Sequence, residues 1–254
     1  MWTIVRERLR QGRRTIAYPA ADPPPLPDRF RGLPVLDDER CPEGCDRCVA
    51  SCPTDALAHE EGGRLALDLG RCLFCDACTA ACPEGAITFT TDHRLAAGSR
   101  ADLVVRSGQP YRHAKALEPA RLRLFRRSLK LRQVSAGGDN SAEADLNVLG
   151  TVVFDISRFG LQFVASPRHA DAVVVTGPVT ANMKLALDKT YAAVPAPKLV
   201  VAVGADAISG GIFRGHPEVH DGVEGHLPVD LYIPGSPPHP LTILDGLLRL
   251  IGRL

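Results

Sequence analysis

All eight cysteines of the 254-residue chain fall between positions 41 and 82. Clustering at short intervals points to metal binding, whereas a disulfide framework would spread them through the fold. The spacing is C-x3-C-x2-C-x3-C-P at Cys41, Cys45, Cys48, Cys52 and Pro53, then C-x2-C-x2-C-x3-C-P at Cys72, Cys75, Cys78, Cys82 and Pro83. The stretches CDRCVASCPTDALAHEE and CDACTAACPEGAITFTT, starting at Cys45 and Cys75, align without a gap. Two copies of one small unit imply a pseudo-twofold arrangement.

Thiolates are the soft ligands that iron–sulfur clusters require, and three of them on one tight loop can cap three corners of a cube. The fourth, displaced by the proline after it, ligates the other cluster in chains of this kind. The expected ligand sets are therefore Cys41, Cys45, Cys48 and Cys82 for one 4Fe–4S cluster, and Cys52, Cys72, Cys75 and Cys78 for a second. A pair of zinc knuckles is the bland alternative, but zinc needs four thiolates per ion and has no use for a repeated C-x3-C-P. Between Cys41 and Cys45 lies one residue more than the usual two. Pro42, Glu43 and Gly44 are expected to absorb it in a turn, with an altered potential or lability for the first cluster.

Charge is segregated although the net value is only +1. Residues 41–94 carry four arginines against nine acids, and residues 95–132 carry ten basic residues against two acids. The belt RLRLFRRSLKLR at 121–132 contains one aromatic and no recognition motif, so a docking face or a solvated linker is expected there, and no nucleic-acid partner. The stretch MWTIVRERLRQGRR reaches Arg6 before an apolar run of secretory length forms, and no run is long enough to cross a bilayer. The expected location is cytoplasmic.

Four segments follow from the pattern. Residues 1–40 should hold a helix over 2–11, with Ile4, Val5 and Leu9 on one face, and an extended proline-rich strap over 18–34. Residues 41–94 form the α+β cluster-binding module, and residues 95–128 a basic linker. From 129 to 254 apolar runs at 161–164, 172–177, 198–204 and 229–235 alternate with helical stretches at Asn182–Ala193 and Leu241–Leu254, the latter amphipathic. That alternation predicts an α/β domain with a mostly parallel, flavodoxin-like sheet. Gly177, Gly204 and Gly235 end three of the strands, where sites form in such sheets.

TIVRERLRQG, the strap ending DRFRGLP and DLGRCLFCDAC resemble the two-cluster ferredoxin subunit of formate hydrogenlyase and related membrane-bound hydrogenases. SPRHADAVVVTGPVT at 166–180, PAPKLVVAVGADAISGGIF at 195–213 and LPVDLYIPGSPPHP at 227–240 resemble the small subunit of group 4 nickel–iron hydrogenases, a relative of the complex I 20 kDa subunit. The resemblance implies a fusion of two neighbouring subunits, peripheral on the inner face of the cell membrane. Its implied partners are a hydrogenase- or complex I-like large subunit, membrane subunits and a soluble electron donor or acceptor. Substrate conversion would belong to a partner chain.

The small-subunit family holds a proximal cluster with cysteines in Gly-Gly-Cys-x-x-Cys-Glu, Gly-x-Cys and Pro-Gly-Cys-Pro-Pro. Here those stretches read GGDNSAE, GADAISGG and PGSPP, which puts Asp139, Ala142, Asp206 and Ser236 at the ligand positions. Alanine cannot bind iron, and hard oxygens suit a cluster poorly. The α/β half is therefore expected to be a scaffold without its own cluster. Glu143 matches a family glutamate, for which the resemblance implies proton handling; a carboxylate at a helix N-terminus is the equal alternative. Arg168 and His169 would face the large subunit, with interface packing as their role.

Overall fold

The computed structural model describes residues 2–60 and 62–254; Glu61, the last residue of the first repeat copy, lies outside the described residues. Helix α1 (Trp2–Gln11) occupies the predicted stretch and stops where Gly12 takes φ +62°. At 100° per residue Trp2, Val5 and Leu9 share an arc of about 60°, so Trp2 rather than Ile4 completes the apolar face. Residues 12–33 form no regular helix or strand, because their prolines remove the amides that either ladder needs. The strap is nonetheless tied down. The Ile16 amide donates to Val153 O at 2.9 Å, Arg158 donates to Ile16 O and Tyr18 O at 2.8 and 2.9 Å, and Tyr18 OH donates to Asp245 at 2.6 Å.

The cysteine-rich module consists of β1 (Pro34–Leu36), α2 (Arg47–Ala50), β2 (Leu57–His59), β3 (Leu65–Asp68), α3 (Ala77–Ala80) and β4 (Ile87–Phe89). β1 pairs antiparallel with β4, Val35 opposite Thr88, and β2 with β3, Ala58 opposite Ala66. The repeat is visible in the backbone. α2 and α3, and likewise β2 and β4, occupy the same places in the two copies, and the third residue after Cys52 and Cys82 is left-handed in both, Asp55 at φ +50° and Gly85 at φ +68°.

The stretch expected as a basic linker is instead structured. β5 (Val104–Arg106) pairs antiparallel with β3, Leu67 opposite Val105. Ala97 exchanges backbone hydrogen bonds of 3.0 and 2.9 Å with Tyr232, and α4 (Pro119–Phe125) follows. Charge hid this organisation: the LKLR end of the belt alternates Leu129 and Leu131, both fully buried, with Lys130 and Arg132, which is the period of a strand rather than of a solvated tether.

The α/β domain contains β6 (Leu129–Ser135), α5 (Ser141–Val148), β7 (Leu161–Phe163), β8 (Ala172–Thr176), α6 (Ala181–Ala193), β9 (Leu199–Val203), α7 (Ala205–Ser209), β10 (Leu231–Ile233) and α8 (Pro240–Leu250). All its strand pairs are parallel, in the order β10-β9-β8-β6-β7. Counted within the domain this is 2-1-3-4-5, the flavodoxin-like order, and it reverses direction between β6 and β8. The closing helix corrects an expectation. It ends at Leu250 and, although its apolar and polar residues are segregated as expected, both sides are buried. Leu241, Ile243, Leu244, Leu247, Leu248 and Leu250 are each at most 2 % exposed. At roughly 1.5–3 kcal/mol apiece, an upper estimate, their burial outweighs that of Asp245, whose charge is met by Arg249 Nε at 2.7 Å and by Tyr18. One hydrophobic cluster runs from Leu67 and Cys72 of the module to Ile208 of α7 and Val173 and Tyr232 of the sheet, so the halves share a core.

Candidate metal centres and the switch-point pocket

Cys52, Cys72, Cys75 and Cys78 line one cavity, with Leu57, Leu67 and Phe89 around them. This set takes one cysteine from the first repeat and three from the second. Cys41 and Cys45 line a separate cavity with Asp46, His59 and Arg64; the electrostatic neighbours of Cys41 include Cys45 and Cys82, and those of Cys48 include Cys41 and Cys82. The thiols are thus gathered across the repeats in two groups. Among the described residues no three His, Cys, Asp or Glu side chains converge as a single metal ion demands.

The backbone prepares these sulfurs for negative charge. After each Cys-Pro the left-handed residue turns the next amide back, so that Ala56 N–H donates to Cys52 Sγ at 3.2 Å and Ala86 N–H to Cys82 Sγ at 3.4 Å. Phe74 N–H donates to Cys72 Sγ at 3.3 Å. At the surface Arg47 Nε donates to Cys45 Sγ at 3.4 Å, which pulls that thiol below its ordinary range. Burial acts the other way on Cys72, pushed up to about 12, and on Cys48, pushed up to about 11. Buried thiolates therefore need a compensating cation, which coordinated iron supplies. The extra residue before Cys45 is absorbed in a β-turn, with Gly44 at φ +74° and the Cys45 amide donating to Pro42 O at 3.1 Å. His59 Nε2 lies 2.9 Å from Cys45 O and pins the loop to β2.

At the carboxyl edge of the parallel sheet a third pocket brings together Asp139, Ala142, Asp206 and Ser236, with Glu143, Gly177, Gly204 and Gly235. The sequence positions expected to have carried a cluster thus meet at the topological switch point. Close backbone approach shapes this end: a Cβ on Gly177 would fall 2.4 Å from Gly138 N. The donor set is one alanine, one serine and two carboxylates, which does not fit a cluster. Asp139 is held by the Ser141 amide at 2.9 Å and hydroxyl at 2.6 Å, and those bonds keep its carboxyl below the usual range. Asp206 goes the other way, to about 6, through burial first and then the charges of Asp139 and Glu143. Buried Glu143 accepts from Thr176 Oγ1 at 2.7 Å.

That threonine was the missed signal, a hydroxyl in the otherwise apolar AVVVT strand. Arg168 and His169 are exposed in a short turn at 167–169 and join neither group. Of the belt, Arg121 pairs with Asp230 at 2.7 Å, while Arg123, Arg126 and Arg127 are exposed. No helix among the described residues is long and apolar enough to cross a membrane.

Two family signatures match. Residues 140–250 carry that of the NADH ubiquinone oxidoreductase 20 Kd subunit, and residues 40–87 that of the 4Fe-4S dicluster domain. An NADH-quinone oxidoreductase subunit of Citrifermentans bemidjiense is 45 % identical over 110 residues, 43 % of this chain and 64 % of that protein. Formate hydrogenlyase subunit 7 of Escherichia coli is 37 % identical over 139 residues, 55 % of this chain and 54 % of that one. The Pyrococcus furiosus protein named "probable membrane-bound hydrogenase subunit mbhJ" is 36 % identical over 121 residues, 48 % of this chain and 72 % of that one. The chain therefore spans less than two thirds of the length of the first two relatives.

Proposed function

Since the chain belongs, through residues 140–250, to the family of the complex I 20 kDa subunit and its membrane-bound hydrogenase relatives, we propose that it is the iron–sulfur electron-carrying subunit of a peripheral complex on the inner face of a membrane. The observation that carries this is the gathering of cysteines across the repeats. Cys41, Cys45, Cys48 and Cys82 hold one 4Fe–4S cluster, and Cys52, Cys72, Cys75 and Cys78 the other. Bound there, each cluster supplies a one-electron carrier. The chain's own part is to hold the thiolates, donate amides to Cys52, Cys72 and Cys82, and cover Cys72 and Cys78 with apolar side chains.

The amino-terminal half corresponds to a formate hydrogenlyase-type ferredoxin fused to a small-subunit scaffold that has lost its cluster ligands at Asp139, Ala142, Asp206 and Ser236. A large subunit and membrane subunits are its partners, with a soluble donor or acceptor at the module. Glu143, bonded to Thr176, supports the strand end, and burial together with the charges of Asp139 and Glu143 raises the Asp206 carboxyl to about 6. Without a relay beside the large subunit, the assembly is expected not to turn over hydrogen at nickel.

The rival reading is a structural or redox-sensing subunit whose clusters carry no turnover electrons. Reductive titration followed by electron paramagnetic resonance tests the choice on the intact purified complex. The proposal expects both clusters to be reduced and reoxidised reversibly at the rate of turnover with the physiological donor. Clusters that stay in one state during turnover would contradict it, and stoichiometric nickel with hydrogen-dependent dye reduction would contradict the loss of the relay.

A further inference from the structure

Helix α1 has ten residues and buries none of them. A helix that short is marginal in water without tertiary contacts, so this one lacks the partner surface that would stabilise it. Trp2 is 84 % exposed, Leu9 78 % and Val5 44 %, all on one arc. Arg6 and Arg8 flank that arc on either side, Arg10 follows, and Arg13 and Arg14 continue the charge past the helix end. Glu7 is the single acid in this stretch, 3.9 Å from Arg6 and 3.6 Å from Arg10. At the stem Thr15 Oγ1 donates to Val152 O at 2.8 Å and the Ile16 amide to Val153 O at 2.9 Å. Val152 and Val153, both exposed, therefore extend the apolar surface where α1 leaves the α/β domain.

A protein groove and a lipid surface both accept an apolar stripe; the charge pattern decides between them. Five arginines against one glutamate, bordering an apolar arc with tryptophan at one end, match a helix lying in the plane of an anionic bilayer. We infer that α1 docks on anionic lipid, with Trp2, Val5 and Leu9 at the acyl boundary and the arginines among the headgroups. Exposed Val152 and Val153 lie beside the stem, where Thr15 and Ile16 bond to their carbonyls. The inference rests on the membrane-side placement proposed above but not on the clusters, so the two can fail separately.

Trp2 is the only tryptophan, so emission from the full iron-loaded chain reads the contact directly. Vesicles of phosphatidylglycerol should shift that emission to the blue and carry the chain down on sedimentation, and added salt should reverse both. Phosphatidylcholine vesicles should do neither. Leu9→Glu should abolish the shift, and the double variant Arg6→Gln with Arg10→Gln should weaken binding to phosphatidylglycerol roughly ten-fold or more. None of these side chains is buried, so both variants keep the fold, checked by their iron content and circular dichroism. Unchanged emission with phosphatidylglycerol, or equal binding to both lipids, would overturn the inference. A chain that ignores both vesicles yet assembles with membrane subunits would overturn it as well, by making α1 a protein contact, and would leave the electron-transfer reading standing.

Discussion

Cys52 and Cys82 each follow a short helix, precede a proline and receive an amide hydrogen on the sulfur, whereas Asp139 and Asp206 follow β6 and β9 in a pocket that contains no thiolate. Both places are built by similar means, chain segments at the ends of regular elements that bring side chains from distant parts of the sequence together. They differ in the donor delivered. In the module the turn presents soft, polarizable sulfur to a multi-iron group; at the sheet edge the backbone presents hard oxygens, and close glycine packing and the Glu143–Thr176 bond tie the strand ends together. The difference teaches that the strand ends around a pocket can be tied by hydrogen bonds and close packing where its lining offers no thiolate.

The strongest challenge to this contrast is removal of iron. The module's strands are three or four residues long and its core includes Cys48, Cys72 and Cys78, so part of its packing is arranged around the sulfurs that iron would bind. Chelation of the purified chain should erase hydrogen-exchange protection across residues 45–90 while β8 and β9, buried at every position, keep theirs. Equal loss in both halves would mean that they are one cooperative unit and that the shared core dominates.

A second test addresses the grouping across repeats. Cys52→Ser should lose or alter the cluster shared with Cys72, Cys75 and Cys78, with about half the iron at risk, and leave the other cluster's spectrum unchanged. A change confined to the signal assigned through Cys41, Cys45 and Cys48 would break the crossed assignment.

The smallest expected effect lies in the pocket. The Asp206 carboxyl is raised from its ordinary value to about 6 in the fold, so the folded chain keeps a proton that the unfolded chain releases. Stability from this group is present below about pH 4, falls as pH rises toward 6 and stays lost above it, a penalty of about 3 kcal/mol that solvent screening of a partly exposed group brings to the order of 2 kcal/mol. Asp206→Asn should raise the urea midpoint at neutral pH by that order, with the gap closing in acid. A variant no more stable at neutral pH would show that the carboxylate has a stabilising partner in the folded chain.

Much of this was legible from residues. The eight cysteines, their spacing and the Cys-Pro repeats prescribe the module, and the apolar runs ending in glycine prescribe the parallel sheet. The meeting of positions 139, 142, 206 and 236 in one pocket follows from the strand order, because loops after β6, β9 and β10 share one edge. What escaped was hidden by charge or by context. Lys130 and Arg132, alternating with Leu129 and Leu131, disguised a strand, β5 was too short to carry a periodic signal, and the burial of the polar face of α8 could not be seen because its partner Tyr18 sits 227 residues away from Asp245 in sequence. Thr176 could not be tied to Glu143 without the fold.

The most direct test of the central claim is the iron and acid-labile sulfide content of the anaerobically purified chain. Two cubane clusters in the module and none at the sheet edge predict about eight of each per chain. A value near twelve would mean that a third cluster is held at Asp139, Ala142, Asp206 and Ser236, and the contrast between the two halves would fall.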